Sequence, residues 1–355
     1  MKNKKLIFLV SLALLAAGCN PFAVTTPTGI IKSVNGGVDW QFANKVASST
    51  TTSLAGVSVS KMAFDPSNRE TVYAGTYDDG LFKSLDSGAS WSKILSKIFV
   101  YDFAVNPYDN KIIYTAGTCV DHGCVLKTTD GGASWNEVYH EGSATNTVVR
   151  GVALNPLNPN QLAIGTTLGT VLKSADAGST WQLAKDFSDR VNRMLWQNGN
   201  IYVLLKTKGL YESANFGADF SQLTASLNKT ISVGSLSYSQ STINSFNQVY
   251  VDLTTPSLIY ITTDKGLQKS VDEGKTWVLE TLPIKPDQAN AYAIAVARES
   301  SNIVFTSVGA TVYKSLDGGN TWQTQSIPTT GLVNYILVDP QLPQIVYGGI
   351  FAIQQ

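Results

Sequence analysis

One phrase, Ser/Thr-x-Asp-x-Gly-x-Ser/Thr-Trp, returns along the chain and constrains what it can fold into. Intact copies run Ser84-Asp86-Gly88-Ser90-Trp91, Thr128-Asp130-Gly132-Ser134-Trp135, Ser174-Asp176-Gly178-Thr180-Trp181, Ser270-Asp272-Gly274-Thr276-Trp277 and Ser315-Asp317-Gly319-Thr321-Trp322. Two altered copies complete the series, Ser33-Asn35-Gly37-Asp39-Trp40 and Ser213-Asn215-Gly217-Asp219-Phe220. Their leading residues are 51, 44, 46, 39, 57 and 45 apart. Such a period accommodates four short strands and their turns. Asp or Asn accepts backbone N–H bonds within its own turn. Gly supplies the positive φ that the turn needs. Trp is a large apolar anchor between neighbouring hairpins. Six of the seven tryptophans occupy this slot, which marks a packing rule and not a catalytic one.

The rest of each unit follows one template. A strand runs into Asp65-Pro66, Asn106-Pro107 or Asn155-Pro156, where proline ends it. A second apolar strand such as 71–77 follows, then a third that ends at the phrase and a fourth that begins at Trp. The N-terminal copy holds only the third and fourth strands, about 28–43, and the C-terminal copy only the first and second, about 333–350. Joined, they make one blade. The expectation is all-β: a seven-bladed β-propeller of four-stranded antiparallel blades over 29–355, closed by pairing N-terminal with C-terminal strands. Radial closure leaves only short, protected sheet edges.

Composition agrees. Charged residues are only 15% of the chain, while Gly (29), Tyr (15) and Trp (7) are frequent, which favours short strands and tight turns over long helices. Lys+Arg and Asp+Glu balance at 26 each, and three of the lysines (Lys2, Lys4, Lys5) lie in the leader. No basic excess is left to neutralise phosphates, so no nucleic-acid partner is expected.

Those lysines precede a short apolar run, Leu6 to Ala17, too short to span a membrane and shaped like a secretory leader. Leu15-Ala16-Ala17-Gly18-Cys19 resembles a bacterial lipobox, departing from it where Ala16 replaces the usual Leu. The resemblance implies a signal peptide over 1–18, a lipidated Cys19 with a tether over 19–28, and membrane lipid as a partner through more than one acyl chain. An ordinary signal-peptide cut nearby is the alternative. The expected location is the extracytoplasmic side of a membrane, whether periplasm, lumen or cell surface.

The repeated phrase resembles the BNR or Asp-box propellers, which include sialidases, xyloglucan hydrolases and sortilin ectodomains. Leader, length and single ring are most similar to the photosystem II assembly and stability factors. That likeness implies a non-enzymatic, chaperone-like scaffold. Those factors carry an arginine patch, whereas this chain has five arginines, of which Arg150, Arg190 and Arg193 form the only cluster. One fold hosts unrelated activities, so the phrase speaks for fold and not for function.

Enzymatic readings find little support in the residues. A sialidase needs an arginine triad and a Tyr–Glu nucleophile, and the Arg-Ile-Pro segment of that family is absent. The xyloglucan hydrolases use a cleft between two propellers, where this chain supplies the strands of one. A glycosidase pair drawn from Asp78, Asp79, Asp102 and Asp121 is the remaining option, although acids in such turns are usually solvated or capping. Cys119-Val-Asp-His122-Gly-Cys124 is more simply a disulfide clamping a hairpin than a pair of free thiols or a metal site. No catalytic residue, metal or cofactor is expected.

The phrase turns and the Pro turns fall at one end of the blades, so the opposite face carries the remaining loops, where function tends to concentrate. The longest is 225–247, which contains Tyr238. Aligning the first strands gives two rings at the channel mouth. One reads Ser60, Tyr101, Arg150, Asn192, Asn247, Tyr292, Asn334, and the next Lys61, Asp102, Gly151, Arg193, Gln248, Ala293, Tyr335. Tyr101, Asp102, Arg150, Asn192, Arg193, Tyr292, Asn334 and Tyr335 are the candidate partner-binding residues, with a solvated rim as the alternative. Six lysines before the phrase (Lys32, Lys83, Lys127, Lys173, Lys269, Lys314) read as stems along the blades with their heads in water. The expected function is a monomeric, membrane-anchored scaffold for a membrane or extracytoplasmic protein. A glycan-binding or glycan-cleaving propeller is the alternative.

Overall fold

The computed structural model describes residues 28–353, apart from 48–52, 97, 143–146, 228–230, 234–235, 239–241 and 286–287. The leader, Cys19 and nearly all of the tether lie outside the described residues. Among the described residues no helix is long and apolar enough to cross a membrane.

Seven four-stranded antiparallel sheets are arranged in a ring. Blade 1 is shared by the two chain ends: β1 (Gly29–Ser33) and β2 (Gln41–Phe42) join the last two strands. Blade 2 holds β3 (Val59–Phe64), β4 (Val72–Thr76), β5 (Gly80–Ser84) and β6 (Ser92–Leu95). Blade 3 holds β7 (Phe99–Val105), β8 (Ile113–Cys119), β9 (His122–Thr128) and β10 (Asn136–His140). Blade 4 holds β11 (Val149–Leu154), β12 (Leu162–Thr166), β13 (Thr170–Ser174) and β14 (Gln182–Asp186). Blade 5 holds β15 (Val191–Gln197), β16 (Asn200–Leu205), β17 (Gly209–Ser213) and β18 (Ser221–Gln222). The 225–247 insertion carries a small hairpin, β19 (Ile231–Val233) with β20 (Leu236–Tyr238). Blade 6 holds β21 (Phe246–Val251), β22 (Ile259–Thr263), β23 (Gly266–Ser270) and β24 (Val278–Leu279). Blade 7 holds β25 (Ala291–Ala297), β26 (Ser300–Val308), β27 (Thr311–Ser315) and β28 (Gln323–Ser326). The chain closes with β29 (Leu332–Val338) and β30 (Val346–Phe351), and β1 pairs with β30 from Gly29↔Ile350 to Ser33↔Val346. Each blade's first strand packs on the first strand of the next, and β29 against β3 completes the circle.

The repeated phrase does what its residue types require. Gly88 N–H donates to Ser84 Oγ at 2.7 Å, Ser84 Oγ–H to Asp86 Oδ1 at 2.7 Å, and Ser90 N–H to Asp86 Oδ1 at 2.8 Å. Gly88 has φ +81°, and a Cβ there would lie 2.9 Å from the Tyr347 ring, so a side chain is excluded twice. These turns abut the Pro turns, as where Ser87 N–H donates to Glu70 C=O. Both turn types therefore share one face, as expected.

Tryptophan stitches blade to blade. The indole N–H of Trp91, Trp135, Trp181 and Trp277 donates to Ala43, Ile94, Val138 and Leu223 C=O respectively, each at the outer edge of the preceding blade. The lysines before the phrase differ from expectation. Lys32, Lys127, Lys173 and Lys269 donate to the carbonyls of Ser87, Ala177, Phe216 and Gly318 in the next blade's turn. Most lie over the aromatic ring across the strand, as Lys32 does over Tyr347. Burial lowers the pKa of Lys32, Lys127 and Lys314. The heads of Lys32, Lys127, Lys173 and Lys269 are thus inter-blade donors and not solvated tips.

Candidate functional site

In every blade the first strand carries a β-bulge at its loop-face end. The register skips Ser60, Tyr101, Arg150, Asn192, Asn247, Tyr292 with Ala293, and Asn334. These are the seven residues of the first aligned ring. A bulged residue leaves the ladder and its side chain is re-aimed. Four of the seven aim at the next blade. Ser60 Oγ donates to Val100 C=O at 2.5 Å, Asn192 Nδ2 to Phe246 C=O at 2.6 Å, Asn247 Nδ2 to Ala291 C=O at 2.7 Å, and Asn334 Nδ2 to Val59 C=O at 2.8 Å. The accepting residue always sits just before the neighbour's own bulge. In blade 7, Ser307 Oγ from β26 makes the same bond to Val333 C=O. Asn192 and Asn334, expected as partner contacts, thus have their Nδ2 donors committed to inter-blade bonds, while Asn334 Oδ1 is buried without a partner.

The second ring is tied together by polar contacts between blades. Asp102 is buried, and its Oδ1 accepts Lys61 Nζ at 2.6 Å and Phe103 N–H at 2.8 Å, while Oδ2 accepts Val152 N–H at 3.1 Å. A buried carboxylate needs such complete pairing. Arg193 crosses from blade 5 to donate to Ser60 C=O at 3.2 Å, its guanidinium 5.9 Å from the centroid of Tyr335. Gln248 reaches Asn334 C=O at 3.4 Å. Burial raises the Tyr335 hydroxyl, and the Lys61 and Arg193 charges oppose that rise. This layer is a polar network that links blades 1 to 6.

Two adjacent blades break the latch pattern. Tyr101 and Arg150 hold bulge positions without reaching the next blade. Arg150 instead lies with its guanidinium 4.5 Å over the Tyr101 ring. Tyr101 meets Tyr77 edge to face at 5.3 Å, and Tyr77 meets Phe351 at 5.3 Å. The row Phe351–Tyr77–Tyr101–Arg150 runs over blades 1 to 4. Nε of Arg150 is buried without a hydrogen-bond partner. Burial lowers the Arg150 pKa, the nearby Tyr77 opposes this, and the Arg190 and Arg193 charges lower it further. Among the described residues, Arg150, Arg190 and Arg193 form no ion pair with a carboxylate, whereas Arg69 pairs with Asp339. Arg190 is tethered through Nε to Asn192 Oδ1 at 3.0 Å. Tyr292, on the far side, accepts from Asn290 Nδ2 at 2.9 Å and does not join the row.

Sequence reasoning missed Tyr77, one residue past β4, and Phe351, the last residue of β30, neither of which carries a periodic signal. The insertion anchors through buried Leu227 and Ile243; the side chain of Tyr238 lies outside the described residues. The candidate acids are scattered. Asp78 accepts from Ser58 N–H at 3.4 Å, Asp79 pairs with Lys93, and Asp121 with His122 at 2.8 Å. Cys119 and Cys124 are disulfide-bonded across the β8–β9 hairpin.

No family model matches the chain. It is 26% identical over 233 residues to the xyloglucanase Xgh74A of Acetivibrio thermocellus, a match that covers 61% of this chain and 24% of that enzyme. The chain thus spans about a quarter of that relative's length. Among solved structures, the GH74 xyloglucanase of Xanthomonas campestris superposes with a TM-score of 0.65 at 14% identity, covering 83% of this chain and 51% of that one. A YCF48 structure solved with a D1 peptide gives a TM-score of 0.60 at 15% identity, covering 84% and 94%. These likenesses establish the propeller fold shared by YCF48 and GH74 proteins.

Proposed function

We infer that this chain is a non-enzymatic interaction scaffold, held on the extracytoplasmic side of a membrane through acylated Cys19, that binds an acidic segment of a protein partner on its loop face. One observation carries the reading: Arg150, Arg190 and Arg193 gather beside an aromatic row with no carboxylate of their own. Clustered like charges cost energy unless an anion joins them. Rim aromatics beside arginine are the usual anchors of a protein interface. A YCF48 protein of similar fold was solved bound to a D1 peptide, which is compatible with a peptide ligand for a ring of this kind. The four candidate carboxylates support the non-enzymatic reading, because Asp79, Asp102 and Asp121 each have a cationic or imidazole partner and Asp78 caps a backbone N–H.

A glycan-binding propeller is the second reading, favoured by the 26% match to a xyloglucanase and by the half-buried Tyr77 and Tyr101. The two separate in one experiment. Full-length protein and an Arg150→Ala/Tyr101→Ala variant are used to capture partners from solubilised membranes of the source cells, beside retention and sugar-release assays on xyloglucan. The scaffold reading expects a partner retained by the wild type and reduced tenfold or more in the variant, without sugar release. Equal capture by both proteins, or sugar release abolished by Asp78→Asn, overturns it.

A further inference from the structure

Both histidines of the chain meet at the outer edge of blade 3. The His122 and His140 ring centroids are 3.8 Å apart. His122 Nε2 and His140 Nδ1 each lie 2.9 Å from the same atom, Glu137 Oε1. Behind them, Asp121 Oδ1 is 2.8 Å from His122 Nδ1. The sequence offers no reason to expect this group, since His140 is three residues beyond Glu137 and such residues face opposite sides of a regular strand. The register of β10 slips between Glu137 and Tyr139, and that bulge brings Glu137 and His140 to one side. The disulfide fixes the hairpin that presents His122.

We propose that His122, His140 and Glu137 form a binding site for a zinc-class divalent transition ion, with Asp121 as positioning residue. Two imidazole nitrogens, each within hydrogen-bond distance of one carboxylate oxygen, are donors of the kind such ions take, and three protein donors leave outer positions for water or a partner's donor. A carboxylate on the far nitrogen of a ligating histidine is the usual means of fixing its tautomer and aim. Here Asp121 directs Nε2 of His122 toward Glu137. Zinc bonds of about 2.0–2.2 Å in a tetrahedral arrangement hold ligand atoms about 3.4 Å apart. The 2.9 Å separations must therefore open by about half an ångström. The side chains that must move are free to do so, because His140 is 62% exposed and Glu137 34%. Cys119 lies near the same group, but its sulfur is bonded to Cys124 and is no thiolate ligand. The site is separate from the arginine face, and its test is independent of the scaffold reading.

The test uses full-length protein without a histidine tag. Zinc is titrated in competition with a chromophoric chelator for the wild type, His140→Asn, Glu137→Gln and Asp121→Asn, with circular dichroism to confirm folding. The expectation is one equivalent bound by the wild type and at least tenfold weaker binding in His140→Asn and Glu137→Gln. Asp121→Asn is expected to weaken binding by about tenfold while keeping the stoichiometry. Cobalt(II) substitution should give visible d–d bands without a thiolate charge-transfer band. Three results overturn the proposal: no stoichiometric binding, equal affinity in wild type and His140→Asn, or a cobalt–thiolate band.

Discussion

Asn334 Nδ2 donates to Val59 C=O at 2.8 Å, joining residues 275 positions apart across the seam between blade 1 and blade 2. Ser60, Asn192 and Asn247 repeat the bond elsewhere in the ring, while Tyr101 and Arg150 do not. Loss of a latch leaves a carbonyl without its partner, at a cost of about 1–3 kcal/mol. Asn192→Ala, at a buried position, should therefore destabilise by about 1–2 kcal/mol in urea denaturation. Arg150→Ala should cost less than Asn192→Ala, because no bond to the next blade is lost. An Arg150→Ala midpoint as low as that of Asn192→Ala would refute the assignment of roles.

The phrase aspartates make stability depend on acid. Hydrogen bonds from Thr180, Thr276 and Thr321 hold Asp176, Asp272 and Asp317 at about 2, below the ordinary value near 4. The folded state thus binds fewer protons than the unfolded state between those values, and stability rises with pH there. The contribution is complete above about pH 4 and is lost as pH falls toward 2. Denaturation midpoints for the wild type should drop over that window. Asp272→Asn should flatten the drop, since an amide oxygen can accept the turn N–H as Asn35 Oδ1 does from Asp39 N–H at 2.9 Å. An unchanged acid profile in the variant would refute this account.

Two tryptophans in equivalent slots should respond differently to Phe. Trp181 Nε1 donates to Val138 C=O at 2.8 Å, whereas Trp322 Nε1 is buried with no partner. Trp181→Phe loses packing and orphans a carbonyl, while Trp322→Phe loses packing but removes an unpaired donor. Trp181→Phe should be the more destabilising by about 1 kcal/mol in paired denaturation curves. The reverse order would count against the stitching role of the indole N–H.

Trp91 is fully buried against Val46, Phe82 and Tyr347. Trp91→Ala should cost about 3–5 kcal/mol, the range for emptying a core aromatic site. Differential scanning calorimetry checks it, and a loss under 1 kcal/mol would show that the seam does not rely on this ring.

Much of the fold was legible because its determinants are local. Ser84, Asp86 and Gly88 close a turn among themselves, so a repeat of those residue types announces a repeat of hairpins. The spacing then gives the blade count, and the half-units at 28–43 and 333–350 give the closure seen in the β1–β30 pairing. The candidate site was legible only as a list of positions. Alignment placed Tyr101, Arg150, Asn192 and Asn334 in one ring, yet nothing local separates the amide that latches from the guanidinium that stays unpaired. Lys32, Lys127, Lys173 and Lys269 were misread for the same reason, since their acceptors belong to the next blade.

The sequence by itself therefore determined the blades, their number and the way the chain ends meet, since each follows from contacts within a few residues or from a count of repeats. Only the tertiary structure decided which polar groups are spent and which are left over. Asp102 is consumed by Lys61 and by backbone N–H groups, Asn192 by Phe246 C=O, and Arg150 by nothing charged. The meeting of His122 with His140 was decided there too, because it depends on a one-residue slip in the β9–β10 pairing. Such slips and cross-blade bonds depend on where neighbouring sheets come to rest, and that is set by packing around the whole ring.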